Sequence, residues 1–135
     1  MERHAANGQA MAEFLEQHSA VDKVYYPGLK SDAGHEVAKK QMLNGFGALL
    51  SFELNGGYEA GIKLLEAVQI PTFAVSLGNV DTLIQYPAGM THLVVPPEER
   101  RKAGISDSLV RLSVGIENVE DLIEDMDRSL KIAVG

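Results

Sequence analysis

The stretch Leu109–Gly115 constrains the fold of this chain more than any other, because it alternates as a β-strand does. Every second residue within it is aliphatic: Val110, Leu112 and Val114. A period of two places these three on one face of a pleated strand, so they are predicted to lie in a core. Arg111 lies between them in sequence and therefore projects from the opposite face.

Arg111 has two interpretations on this pattern. A guanidinium held on a rigid strand presents its planar fork to a carboxylate or phosphate at little ordering cost. Alternatively, it is a solvated arginine on the exposed face of an amphipathic strand, where charged side chains usually lie. The spacing alone leaves both interpretations open.

Strands and helices alternate along the rest of the chain. Helical spacing of apolar residues predicts helices over 2–18, 34–43 and 58–68, a short helix from Pro97 to Gly104, and a last helix capped by Asn118. Strand patterns occur, besides the Arg111 stretch, at Val21–Tyr26, Gly47–Leu54 and Thr72–Leu77. The segment Asn79–His92, which Pro87 and Gly89 interrupt, is predicted to be irregular.

The first helix has two unusual features. No Ser, Thr, Asp or Asn precedes it as a cap, so we expect it to continue from an upstream segment. Gly8 inside it costs about 1 kcal/mol relative to alanine, so the helix needs packing to persist. The predicted inward face consists of Ala6, Ala10, Met11, Phe14 and Leu15.

Together these elements predict a single α/β domain over residues 1–135. The expected architecture is a two-layer sandwich, with a sheet of about four strands and helices on one face. The other face of the sheet would carry Arg111 and Ser76, and we expect it to be the working side.

Composition excludes several classes of function. A net charge of −7 argues against nucleic acid or an anionic membrane as a partner. There is no cysteine, which removes disulfides, thiolate metal sites and cysteine nucleophiles. The four histidines never fall at ligand spacing with a carboxylate, so no metal site is expected. No apolar run approaches the ~18 residues of a membrane span and no signal sequence is evident, so the expected location is the cytoplasm.

Familiar catalytic motifs are also missing. Ser76 does not lie in a Gly-x-Ser-x-Gly elbow, and the chain has neither a P-loop nor a Gly-x-Gly-x-x-Gly sequence. What remains is Ser76 at the end of one strand and Arg111 inside another, predicted to be its neighbour. Both could donate hydrogen bonds to one carboxylate. The alternative is a serine that satisfies local backbone at a strand end.

Four motifs, in this order and spacing, resemble the C-terminal domain of the Cys/Met-metabolism enzymes that use pyridoxal phosphate. They are Phe73–Gly78, Pro87–His92, Pro97–Arg100 and Gly104–Gly115. Arg3-His4 and Tyr26–Leu29 extend the resemblance over essentially the whole chain, and the wording is most similar to the methionine γ-lyase branch. The resemblance implies the small C-terminal domain of a fold-type I enzyme.

The resemblance also implies roles for individual residues. Arg111 matches the arginine that grips the substrate α-carboxylate, and Ser76 the serine beside that carboxylate and the reactive lysine. Leu77 is expected to bind substrate with them. Three residues near the pocket complete the set: Met90, Thr91 and His92. The implied reaction is γ-elimination of methionine- or cystathionine-type substrates, by a carbon–sulfur lyase whose chemistry the cofactor carries.

The family's reactive lysine, phosphate-binding loop and pyridinium-pairing aspartate belong to a preceding large domain that these 135 residues do not include. No residue here is therefore expected to be catalytic or to bind the cofactor, and the chain alone is predicted to be inactive and to bind no pyridoxal phosphate. Its expected partners are an amino-acid substrate, the large domain and copies of itself, as a tetramer in the full enzyme. The alternatives are a cystathionine γ-synthase or other transsulfuration enzyme, and a non-enzymatic interaction module.

Overall fold

The computed structural model describes all residues from 1 to 135 and contains one five-stranded mixed sheet. The helices are α1 (Glu2–Gln17), α2 (His35–Gln41), α3 (Gly57–Ala67), α4 (Pro97–Lys102) and α5 (Val119–Val134), with a 3-10 turn at Pro87–Gly89. The strands are β1 (Val21–Tyr25), β2 (Leu49–Leu54), β3 (Thr72–Phe73), β4 (Leu83–Gln85) and β5 (Leu109–Ser113). The predicted α/β fold class is confirmed.

The strand that carries Arg111 lies at the centre of the sheet. The strand order is β1-β2-β5-β4-β3, and every pair is antiparallel except β3 with β4. Val110 and Leu112 are fully buried, and they join a core with α1, α3 and α5. Because the side chains of β5 alternate, Arg111 faces away from this core.

The sheet has five strands rather than about four. The additional strand, β4, lies inside the segment 79–92 that the sequence predicts to be irregular. Its middle residue, Ile84, pairs with Leu112 and is fully buried. A three-residue strand between breakers has no recognisable period, and only its pairing with β5 defines it.

Strand β3 ends earlier than predicted, at Phe73 rather than Leu77. Strand β4 also lies between β3 and β5, so Ser76 is not on a strand adjacent to Arg111. Instead, the chain after β3 leaves the ladder and approaches β5, where the Gly78 N–H donates to the Ser113 hydroxyl oxygen at 2.9 Å. At Gly78 a side-chain hydroxyl therefore takes the place of the main-chain hydrogen bond that would extend the strand.

The buried face of α1 also differs from the prediction. Asn7 is 1% exposed, and its amide donates to the carbonyls of Gly115 and Glu117 at 3.1 and 2.8 Å. A Cβ on Gly8 would lie 2.7 Å from the Gly47 carbonyl oxygen, so only glycine allows this close approach. Ala6 is exposed instead. Polar and small residues therefore face inward because α1 packs directly on backbone.

Helix α5 agrees closely with its prediction. Asn118 caps it, and its Oδ1 accepts hydrogen bonds from the N–H groups of Glu120 and Asp121 at 2.8 and 3.3 Å. Leu122 and Met126 are fully buried. None of the helices combines the length and the apolarity that crossing a membrane would require.

Candidate functional site

Arg111 lies on the face of the sheet opposite the helical layer. In the register of the sheet, Ser51 of β2 and Gln85 of β4 flank it. The guanidinium Nη2 donates to the Ser76 carbonyl oxygen at 2.9 Å and to the Val75 carbonyl oxygen at 3.4 Å. The structure thus brings Arg111 and Ser76 together, although through the main chain of Ser76 rather than its hydroxyl.

The segment that supplies these carbonyls is exposed on its other side. Ser76 is exposed, and Leu77 is 53% exposed. The Ser76 hydroxyl has no hydrogen-bond partner within the chain, unlike a serine that satisfies a strand end. The side chains of Ser76 and Leu77 are therefore accessible next to the guanidinium of Arg111.

The predicted pocket residues Met90, Thr91 and His92 are connected to Arg111 through Gln85, its neighbour on β4. The Gln85 Nε2 donates to the Thr91 hydroxyl oxygen at 2.8 Å, and that oxygen lies 2.8 Å from His92 Nδ1. The Met90 sulfur accepts the Tyr86 N–H at 3.2 Å. Met90, Thr91 and His92 therefore form a short wall tied to β4.

Gln85 is the residue that sequence reasoning missed. It is 3% exposed, and its Oε1 has no hydrogen-bond partner in the protein. A buried acceptor without a partner in the protein is costly unless water or a ligand satisfies it. The only feature that could have identified Gln85 is its pairing with Arg111 across neighbouring strands. The sequence does not reveal this pairing, because β4 was not predicted to be a strand.

Two ion pairs, of Asp107 with Arg100 and with Arg101, join α4 to the chain that enters β5. Arg101 and Arg100 hydrogen-bond to the carboxylate of Asp107 and hold its pKa below the ordinary range. The Tyr86 hydroxyl donates to the Asp107 carbonyl oxygen at 2.5 Å. Burial, with a smaller contribution from Tyr58, raises the pKa of Tyr86 well above its usual value, so this phenol acts only as a neutral donor.

The residues present do not fit a self-contained pyridoxal phosphate site. A lysine that carries such a cofactor is enclosed with it and desolvated. All seven lysines here are exposed: Lys23, Lys30, Lys39, Lys40, Lys63, Lys102 and Lys131. No three His, Asp or Glu side chains meet in a way that could hold a metal ion. The main surface clefts are lined by other residues, and Arg111 lies partly exposed on its face of the sheet.

The fold and this face define a two-layer α/β domain that displays an arginine on its uncovered side. A family model described as "Cys/Met metabolism PLP-dependent enzyme" matches residues 1–131. The chain belongs to this family of Cys/Met-metabolism enzymes that depend on pyridoxal phosphate.

Similar proteins include both lyases and a synthase. The L-methionine gamma-lyase of Fusobacterium nucleatum subsp. polymorphum is 56% identical over 131 residues, which are 97% of this chain and 33% of that protein. The cystathionine beta-lyase of Lactococcus lactis subsp. cremoris (strain MG1363) is 52% identical over 132 residues, covering 97% of this chain and 34% of the relative.

Among solved structures, cystathionine gamma synthase from Xanthomonas oryzae pv. oryzae, in complex with cystathionine, matches with a TM-score of 0.88 and 46% identity. The match covers 97% of this chain and 34% of that one. The chain therefore spans about a third of the length of its relatives.

Proposed function

We propose that this chain is the substrate-carboxylate-binding C-terminal domain of a pyridoxal-phosphate-dependent lyase that acts on sulfur amino acids. The expected reaction is γ-elimination of methionine- or cystathionine-type substrates. Arg111 is the residue that binds the α-carboxylate. Ser76 and Leu77 contact the substrate beside it, and Met90–His92 form the nearby wall.

The observation that carries the proposal is the way the Arg111 guanidinium is held. Its hydrogen bonds to the carbonyls of Val75 and Ser76 both come from Nη2. Nη1 and Nε donate to no group of the protein, and the side chain is partly exposed. Two carbonyls thus orient the guanidinium, while Nη1 and Nε stay available for charge-assisted hydrogen bonds to a carboxylate.

This chain contributes binding and orientation rather than bond breaking. Binding the carboxylate holds the amino acid in one orientation. Such orientation supplies a large part of the rate enhancement of an enzyme over the reaction in water. The residues that hold the cofactor would come from the remaining two-thirds of a full-length enzyme. No residue of this chain is proposed to be catalytic.

The names of the relatives support the substrate class. The similar proteins are described as acting on methionine or cystathionine, and one solved relative contains cystathionine. That relative is a synthase, so a cystathionine γ-synthase or another transsulfuration enzyme is the second candidate. A non-enzymatic module is the third, since the chain spans only a third of these enzymes.

The proposal extends to partners. Four apolar side chains after the start of β3 are more than half exposed: Phe73, Val75, Leu77 and Val80. An exposed apolar row of this kind marks an interaction surface. We propose that a preceding large domain covers it, and that the full protein is a cytoplasmic homo-oligomer, a tetramer by resemblance to the family.

A chimera tests the function directly. This chain would replace the matching C-terminal third of the Fusobacterium nucleatum methionine gamma-lyase, which is 56% identical. We expect the chimera to keep the cofactor's visible absorbance and to release thiol from methionine. Formation of cystathionine, rather than its breakdown, would favour the second candidate. A folded, cofactor-loaded chimera that neither uses these substrates nor forms cystathionine would contradict both enzyme proposals.

Within the chimera, Arg111→Lys tests the carboxylate role. Lysine keeps the charge but loses the planar fork. The loss of transition-state stabilisation calculated from kcat/KM should therefore be about 1.5–3 kcal/mol, the contribution of a charged hydrogen bond. Cofactor absorbance should not change. The matched control is Arg101→Lys, an arginine whose side chain is 61% exposed and pairs only with Asp107. An unchanged kcat/KM, or a loss of cofactor absorbance, would contradict the assignment.

A further inference from the structure

Arg100 is a buried arginine that the proposed function does not use. It is 7% exposed, and its Nη2 donates to the Asp107 carboxylate at 2.7 Å. Its Nη1 donates to the carbonyl oxygen of Val95 at 3.1 Å and to that of His92 at 3.4 Å. One guanidinium therefore joins the end of the Met90–His92 wall to the chain that enters β5.

Asp107 connects the wall at its other end as well. Its carboxylate accepts from Arg100, and its main-chain carbonyl accepts from the Tyr86 hydroxyl at 2.5 Å. The segment from Tyr86 to His92 is thus connected to Asp107 at both ends, directly at Tyr86 and through Arg100 at His92. Asp107 lies four residues before Arg111, so the wall and the carboxylate-binding strand share an anchor.

Met90 packs against the core, but burial contributes little to holding the rest of this wall in place. Thr91 is exposed, and the next apolar residues, Leu93 and Val94, are 61% and 91% exposed. A segment with few buried apolar contacts opens easily unless hydrogen bonds fix it. Within the segment, the His92 N–H donates to the Pro87 carbonyl at 2.9 Å and the Val95 N–H to the His92 carbonyl at 3.1 Å. Arg100 adds a buried side-chain donor from outside the segment and joins it to Asp107.

We propose that Arg100, held by Asp107, is a positioning residue that sets the place of the Met90–His92 wall relative to Arg111. The inference rests on the proposed function, because the wall matters for catalysis only if a substrate binds against it. Arg100 touches neither substrate nor cofactor. Its loss loosens one side of the pocket while the fork of Arg111 stays in place, so the affinity for substrate falls more than the rate of the bound complex.

Arg101 supplies a matched control. It donates to the other carboxylate oxygen of Asp107 at 2.8 Å, as Arg100 does to the first. Its side chain is 61% exposed and reaches no carbonyl of the wall. Equivalent substitutions at these neighbouring positions therefore separate the wall contact from the shared ion pair.

The experiment uses the chimeric enzyme with Arg100→Lys and Arg101→Lys, assayed with methionine and cystathionine. Lysine at position 100 keeps a positive charge near Asp107 but cannot serve two carbonyls and a carboxylate together. We expect KM to rise about tenfold, which one lost hydrogen bond would produce, with kcat within about twofold. Arg101→Lys should leave both values near those of the unsubstituted chimera.

A second measurement covers poor folding of the first variant. In Asp107→Asn the Arg100 side chain loses its counter-ion, so KM should rise as it does in Arg100→Lys. Limited proteolysis with thermolysin should cut both variants faster near Leu93 and Val94, while Arg101→Lys is cut at the original rate. A structural role alone would lower thermal stability without separating KM from kcat.

Each outcome has one meaning. Unchanged KM and unchanged cleavage in Arg100→Lys overturn this inference, and so does a rise in KM that Arg101→Lys reproduces. If the unsubstituted chimera turns over neither substrate, or if Arg111→Lys has no effect on kcat/KM, the proposed function fails and this inference falls with it. An active chimera sensitive at Arg111 but not at Arg100 would overturn the positioning role alone.

Discussion

Replacing Thr82 with valine tests how the segment carrying Ser76 is joined to the rest of the domain. Thr82 is fully buried where this segment enters β4. Its hydroxyl donates to Glu117 Oε2 at 2.8 Å and accepts the Gly115 N–H at 2.8 Å. Valine has nearly the same shape but no hydroxyl, so the substitution removes two hydrogen bonds without creating a cavity.

The expected cost follows from the two lost partners. The bond to the Glu117 carboxylate is charge-assisted and contributes about 1.5–3 kcal/mol, and the buried Gly115 N–H left without an acceptor costs about 1–3 kcal/mol. The Thr82 N–H keeps its bond to Glu117 Oε1 at 2.6 Å, which limits the loss. We therefore expect the free energy of unfolding to fall by about 3 kcal/mol, a large part of the ~5–15 kcal/mol typical of a domain.

Urea unfolding of the chain, followed by far-ultraviolet circular dichroism, measures this difference. Thr82→Ser is the control, because it keeps the hydroxyl and loses only a methyl group, for about 1 kcal/mol. The slope with urea should be unchanged in both variants. A Thr82→Val protein within 1 kcal/mol of the unsubstituted chain, or a Thr82→Ser protein equally destabilised, would refute the reasoning.

Three further predictions concern pH, association and the cofactor. Burial opposes the ionisation of Asp125, but the N–H groups of Ile70 and Gln69, with Arg128, outweigh it and lower its pKa. Its stabilisation is therefore complete above the unfolded pKa of about 4 and is lost as the pH falls through the lower folded value, so Asp125→Asn should flatten acid unfolding curves; an unchanged curve would refute this. The isolated chain should self-associate at tens of micromolar in sedimentation, through the exposed row around Val75, and a monomer that binds no apolar dye would contradict it. Pyridoxal phosphate mixed with the isolated chain should give no Schiff-base absorbance that survives gel filtration, whereas a stable adduct on one lysine would show a site that we do not expect.

The site illustrates how far residue types alone can be taken. The sequence places Arg111 opposite an aliphatic face, and this statement holds. It also places Ser76 at the end of a strand, whereas β3 ends before it, at Phe73. It predicts that the Ser76 hydroxyl and the guanidinium act side by side as donors. The structure adds that the Ser76 carbonyl accepts from the guanidinium at 2.9 Å, so the same serine also orients the arginine.

The sequence alone determined the helices and strands that have a clear periodic pattern of apolar residues. The alternation in Leu109–Ser113 makes a strand whichever partner it has, and the spacing in Val119–Val134 with the Asn118 cap makes a helix. The α/β class and the face on which Arg111 lies follow from these periods, because a side chain's face is fixed by its place in the repeat. The ordered motifs carried the family resemblance.

Only the tertiary structure decided the features that depend on distant pairing. Strand β4 exists because Ile84 meets Leu112, and through that pairing Gln85 lies beside Arg111. Asn7 is buried because its amide reaches carbonyls more than a hundred residues away, although its polarity predicts exposure. A short or polar segment gains little from its own sequence, so its conformation is set by the partners that satisfy its hydrogen bonds after the chain has folded around it.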